Sequence, residues 1–200
     1  MTDLRAGVNV VLIAPRRYGK SSLLTRAVEQ LRQLDVLTAY VDLERTPSKE
    51  RFAAHLARAV HDGLLGRTEQ ALQRATEWFS QLRVRPRISL SEGGKPAFEF
   101  VGSAAQVDID ATIEQLLELA ETVARDRQAR VVIVFDEFQE VLGLDPTLPA
   151  LMRSVFQRED HVAHVFPRQP STSAQAGLRR PPPAPVPPGP PDDAGPDLDR

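Results

Sequence analysis

Two groups of residues in this sequence have the types and spacing to handle a phosphate chain. The first is Ala14-Pro15-Arg16-Arg17-Tyr18-Gly19-Lys20-Ser21-Ser22, and the second is Asp136-Glu137 at the end of the apolar run Val131 to Phe135. In a loop of the first kind, consecutive backbone N–H groups and the start of a helix surround an anion. Lysine adds a point charge on the β- and γ-phosphates, and the next hydroxyl reaches the Mg²⁺ riding on them. Residues Ala14 to Ser22 are therefore expected to bind nucleotide phosphates, with Lys20 the principal cation and Ser21 a Mg²⁺ ligand. Asp136 is expected to hold the same Mg²⁺ through water, and Glu137 to orient and deprotonate the attacking water. The strict phosphate-loop pattern, G-x-x-x-x-G-K-[ST], asks for glycine where this chain has Ala14. The added methyl narrows the approach of backbone to phosphate without closing it.

Both groups need a scaffold that brings strand tips and a helix start together. Val8 to Ile13 reads as a strand buried on both faces, and Leu24, Ala27, Val28, Leu31 and Leu34 recur on one face of a following helix. Strand, tight loop and helix make a P-loop unit of the Walker A type, and the strand ending in Asp136-Glu137 makes its Walker B partner. Between them, Val36 to Leu43 reads as a strand. Thr46 then serves as N-cap, with Pro47 at the first helical position, for a helix with the stripe Phe52, Leu56, Ala59 and Val60. A helix over 67–82 turns Leu72, Ala75, Phe79 and Leu82 inward, with Trp78 in or near the core. Residues 85–91 and 97–101 read as a hairpin around Glu92-Gly93-Gly94-Lys95. The string Leu90-Ser91-Glu92-Gly93-Gly94 therefore turns between strands and is no ATPase signature. Asp110 caps a long helix carrying Ile113, Leu116, Leu117, Ala120 and Val123; a further helix spans 146–159 and a fourth strand 161–166. Gln139 stands beside the second motif, within reach of it. The spacing of His161 and His164 lacks further ligands nearby and reads as structural or surface.

Composition narrows the class. The chain has 200 residues, 42% of them hydrophobic, enough for one domain with a real core. Its net charge of -2 makes no whole-chain case for nucleic acid or an anionic membrane, and without cysteine there is neither a disulfide framework nor a Cys-type zinc site. No apolar run approaches the length of a membrane span, so a cytoplasmic protein is expected, with no membrane partner.

Ala-Pro-Arg-Arg-Tyr-Gly-Lys-Ser-Ser-Leu-Leu, then Ala-Tyr-Val-Asp-Leu, then Val-Ile-Val-Phe-Asp-Glu-Phe-Gln-Glu-Val resemble the archaeal-type ATPases, a STAND group of P-loop NTPases related to AAA+ proteins. The resemblance runs from about Gly7 to Phe166. It implies a three-layer αβα core whose mostly parallel sheet has the order 5-1-4-3-2, with ATP and Mg²⁺ as ligands and a nucleotide-driven conformational switch. Family members continue past the fourth strand into a sensor residue, a fifth strand, a helical lid and a winged-helix-like domain. Here the chain passes into Pro167-Arg168-Gln169-Pro170 and a stretch holding 11 of the 17 prolines. The expectation is a truncated ATPase core over 1–166 that lacks strand 5, followed by a disordered proline-rich tail over 167–200. A frameshift near Phe166 and a genuine partner-binding tail both account for the change. With no arginine finger in view, a feature worth about 10³ to 10⁵ in rate, impaired turnover is expected. Three functions stay open. They are an ATPase, a non-hydrolysing nucleotide-binding module that serves a protein partner or self-association, and an inactive fragment. No Asn-Lys-x-Asp guanine-reading motif occurs, and DNA binding has no support in this chain.

Overall fold

Strand β5 (Val131–Asp136) is buried at every residue, as an unbroken apolar run predicts, and the other parallel strands are ordered around it. The computed structural model describes residues 7–13, 19–66, 69–90, 95–100 and 106–168, and the statements below concern these. The elements in chain order are β1 (Val10–Ile13), α1 (Lys20–Arg32), β2 (Leu37–Asp42), α2 (Lys49–Val60), α3 (Glu69–Phe79), β3 (Arg87–Leu90), β4 (Pro96–Glu99), α4 (Gln106–Asp126), β5, α5 (Gln139–Leu144), α6 (Leu148–Phe156) and β6 (Val162–Arg168). Four strands form one sheet of order β1-β6-β5-β2, parallel throughout, and β3 and β4 form a separate antiparallel hairpin. This is the α/β architecture expected from the sequence, with the chain order 1-4-3-2 of the predicted sheet.

Alternation along β5 builds the layers. Val132 and Val134 pack with Leu24, Val28 and Leu31 of α1 on one face. Val131, Ile133 and Phe135 join a larger core on the other face with Phe52 and Leu56 of α2, Ile113 and Leu117 of α4, and Met152 and Val155 of α6. Trp78 packs partly buried against this larger core.

Several local expectations are corrected. The N-cap of α2 is Ser48, whose extended backbone lets its hydroxyl accept from Arg51 N at 3.3 Å. The Thr46 hydroxyl is buried and donates to Leu43 O at 2.8 Å, so it is spent on a turn. Asp110 does not start α4, which begins at Gln106; its carboxylate faces Lys49 Nζ at 2.8 Å instead. α2 also runs into a π-helical turn, His61–Leu65, whose Gly63 presses on the edge strand β2. A β-carbon there would meet Thr38 O at 2.3 Å and Ala39 Cα at 2.7 Å, so only glycine permits this approach. β6 runs two residues beyond Phe166, and the short helix α5 follows β5 where none was foreseen. At the opposite edge, Val11 and Ile13 of β1 are 54% and 65% exposed, and Val11 borders a cleft of about 490 Å³ lined also by Phe138, Leu142, Met152, Phe156 and Phe166. Residues 14–18, the 91–94 turn and the proline-rich stretch from 169 onward lie outside the described residues.

Candidate functional site

The C-terminal edge of a parallel sheet gathers whatever side chains its strands carry last. β2 and β5 are paired in register, so Asp42 lies opposite Asp136. α1 starts at Lys20, directly after Gly19, whose φ of 71° is left-handed and suits glycine. Its first turn carries no acidic residue, and Gly19 provides no side-chain cap to the backbone N–H groups at this helix start.

Lys20 crosses to the strand tip. Its Nζ lies 3.1 Å from Asp136 Oδ1 and 3.0 Å from Glu137 Oε1, and donates to the latter. The structure thus joins the lysine of the first motif to both carboxylates of the second. Asp136 Oδ1 also accepts the Glu137 N–H at 3.0 Å, and its Oδ2 accepts from the Tyr40 hydroxyl. Gln139 donates to the other oxygen of Glu137, Oε2, so it does reach the motif. Glu137 itself has φ 55°, an uncommon left-handed conformation for a residue with a side chain. Strain of this kind persists only where surrounding bonds hold it, and here Lys20 and Gln139 grip the carboxylate while Glu140 N bonds Glu137 O at 2.9 Å.

Charge follows the same geometry. Partial burial works against the Lys20 ammonium, but its hydrogen bonds to Glu137 and Asp136, with the charges they carry, outweigh this and hold its pKa above the usual lysine value. Burial, the bond to Asp136 and the charges of Asp136, Asp42 and Glu137 all push the Tyr40 phenol upward, so it remains a neutral donor. One ammonium facing two carboxylates leaves the strand tip net negative, while the helix start beside it attracts negative charge. A divalent cation carrying phosphates satisfies both, so the residues present fit a Mg-nucleotide. Among the described residues no three His, Cys, Asp or Glu side chains converge on one point.

Of the other predicted site residues, Ser21 belongs to the first turn of α1, but its side chain is not among those described. Ser22 is exposed on the same turn, and Ala14, Pro15, Arg16, Arg17 and Tyr18 lie outside the described residues. Sequence reasoning missed Tyr40. The available signal was Thr38, Tyr40 and Asp42 alternating down one face of an otherwise apolar strand. The two histidines take structural partners. His161 Nδ1 sits 2.8 Å from Glu121 Oε1, and fully buried His164 stacks on Phe156 at 3.8 Å between ring centres.

A protein-family profile described as an ATPase domain predominantly from Archaea matches residues 5–173. The chain belongs to this family. The ATPase domain also resembles solved structures at low identity. These include Cdc6p from Pyrobaculum aerophilum, with 12% identity and TM-score 0.45 over 89% of this chain and 38% of that one. The ORC1 protein of Aeropyrum pernix, solved in complex with DNA, gives 15% identity and TM-score 0.47 over 84% and 35%. The ORC2 protein of the same organism, solved as ADPNP–ADP complexes, gives 14% and 0.43 over 82% and 36%. The ATPase domain thus spans little more than a third of the length of these proteins. No curated protein matches the chain. Among the described residues of the domain, no helix is long and apolar enough to cross a membrane.

Proposed function

We propose that this domain binds Mg-ATP and hydrolyses it to drive a conformational switch, as a STAND-type P-loop ATPase. The observation that carries the reading is the meeting of Lys20 with Asp136 and Glu137, at 3.1 and 3.0 Å, from positions 117 residues apart in the case of Glu137. In this reading the α1 N–H groups and residues Ala14 to Ser22 receive the phosphates. Lys20 leaves the carboxylates and bonds the β- and γ-oxygens. Ser21 and Asp136 hold Mg²⁺, which, when bound, neutralises charge developing on the transferred phosphoryl. With Lys20 on the phosphates, Glu137 Oε1 would be free to take the proton of the water attacking the γ-phosphorus as the bond from that phosphorus to the ADP oxygen breaks, while Gln139 keeps Oε2 in place.

One observation favours a second reading, that of a nucleotide-binding module without useful turnover. Both oxygens of Glu137 are engaged, one by Lys20 and one by Gln139, so the base is occupied in this state. Binding is tested first, by following thermal unfolding of the 200-residue chain with Mg-ATP and with Lys20→Ala as control. Stabilisation of about 2.7 kcal/mol is expected at 100-fold over Kd, and is lost in the variant. A folded parent protein that shows no shift refutes both readings.

A further inference from the structure

Tyr40 belongs to neither phosphate motif, yet its hydroxyl bonds directly to Asp136. Resting on the Mg-ATP reading above, we propose that Tyr40 is the positioning residue for Asp136. Its neutral hydroxyl holds Oδ2 so that Oδ1 is turned toward Lys20 and the metal-phosphate site.

The two Asp136 oxygens have separate partners. Oδ2 accepts from Tyr40, whereas Oδ1 lies 3.0 Å from the Glu137 N–H and 3.1 Å from Lys20 Nζ. The side chain is only 10% exposed, so water does little to orient it, and a carboxylate held from one side alone could rotate about its last bond. A donor on each oxygen removes that freedom. The donor on Oδ2 is also neutral, which matters chemically. A lysine or arginine there would cancel the charge Asp136 has to offer a cation, whereas a phenol fixes the carboxylate and leaves its charge intact. Register supplies the reach. Tyr40 pairs with Val134 and Asp42 with Asp136, so the ring stands on the same strand face as Asp42, one pleat back from the tip. The ring also borders a groove of about 340 Å³ with Arg32, Asp42, His55 and Arg58, open enough for the hydroxyl to be removed without leaving a sealed void.

The test is Tyr40→Phe in the full chain, read by two binding measurements. Calorimetry with ATP in EDTA reports phosphate binding alone, and a Mg²⁺ titration at fixed ATP, followed by thermal midpoint, reports the metal. The expected result is metal-free ATP affinity within twofold of the parent and a half-saturating Mg²⁺ concentration raised about tenfold or more, the usual size of a lost second partner to a metal ligand. Equal losses in both measurements make Tyr40 a merely structural residue and overturn the proposal, as does an unchanged Mg²⁺ requirement. A second arm uses Asp136→Asn. Adding Tyr40→Phe to it should leave the Mg²⁺ requirement where Asp136→Asn alone puts it, and a further tenfold rise overturns the coupling. A folded parent that binds no ATP refutes the nucleotide reading itself, an outcome separate from all of these.

Discussion

Glu159 and His164 face each other in the interior, Oε2 to Nε2 at 3.2 Å, with 2% and 0% of their side chains exposed. Neither atom has a hydrogen-bond partner among the described residues. The imidazole proton of His164 can be placed. Asn9 Oδ1 accepts the His164 backbone N–H at 2.8 Å and lies 3.0 Å from His164 Nδ1. A backbone N–H only donates, so the Asn9 atom is its oxygen, Nδ1 carries the imidazole proton, and Nε2 is left as an acceptor. Burial first, then the charges of Glu121 and Glu118 against the opposing Arg158, push Glu159 from 4.5 up to about 8. Burial lowers His164 from 6.5 to about 3.

Linkage turns this pair into a stability profile. Between pH 4.5 and 6.5 the unfolded chain holds one proton on the histidine and the folded chain one on the glutamate, so the pair contributes no slope. Above 6.5 the unfolded histidine is neutral while folded Glu159 keeps its proton to about pH 8, so stability falls as pH rises. At 1.36 kcal/mol per unit, that interval costs about 2 kcal/mol. Glu159→Gln keeps the size of the side chain and cannot ionise. Urea unfolding at a series of pH values should therefore show the parent losing about 2 kcal/mol relative to the variant between pH 6.5 and 8. Parallel profiles over that range would refute both the proton placement and the linkage. Because the comparison is between two proteins, titration of the remaining histidines cancels.

Other substitutions probe the scaffold and the site. Gly63→Ala drives a methyl into the β2 backbone, 2.3 Å from Thr38 O, and should destabilise by about 3 kcal/mol or prevent folding in a denaturant titration. Ser48→Ala removes the α2 cap and should cost about 1 kcal/mol by the same assay, and no loss would contradict the cap geometry. Glu137→Gln should retain Mg-ATP stabilisation while phosphate release drops about 100-fold or more, provided Glu137 is the base. A parent with no measurable release would favour the non-hydrolysing reading.

Local pattern and tertiary contact divided the information in this chain unevenly. The buried strand β5 and the α1 residues Leu24, Val28 and Leu31 are legible because each set depends on residues within one helix or one strand, whereas Leu34, expected on the same stripe, lies beyond the helix end and is 46% exposed. The cap at Ser48 was masked by Thr46, an equally good capping residue whose hydroxyl goes to Leu43 O. Asp110 looked like a helix start because nothing nearby in the sequence names Lys49, 61 residues away, as the cation that claims it. The π-helical turn and Gly63 follow from how α2 meets β2, which no periodicity reports. By itself, then, the sequence determined the element types, the parallel α/β class and the residue kinds available at the strand tips, all of which follow from short-range periodicity and side-chain chemistry. Only the tertiary structure decided that Tyr40 bonds Asp136, that Gln139 and Lys20 share Glu137, and that Glu159 and His164 are buried side by side. The physical reason is that each of these contacts depends on strand register and burial, which are set by the packing of segments far apart in the chain.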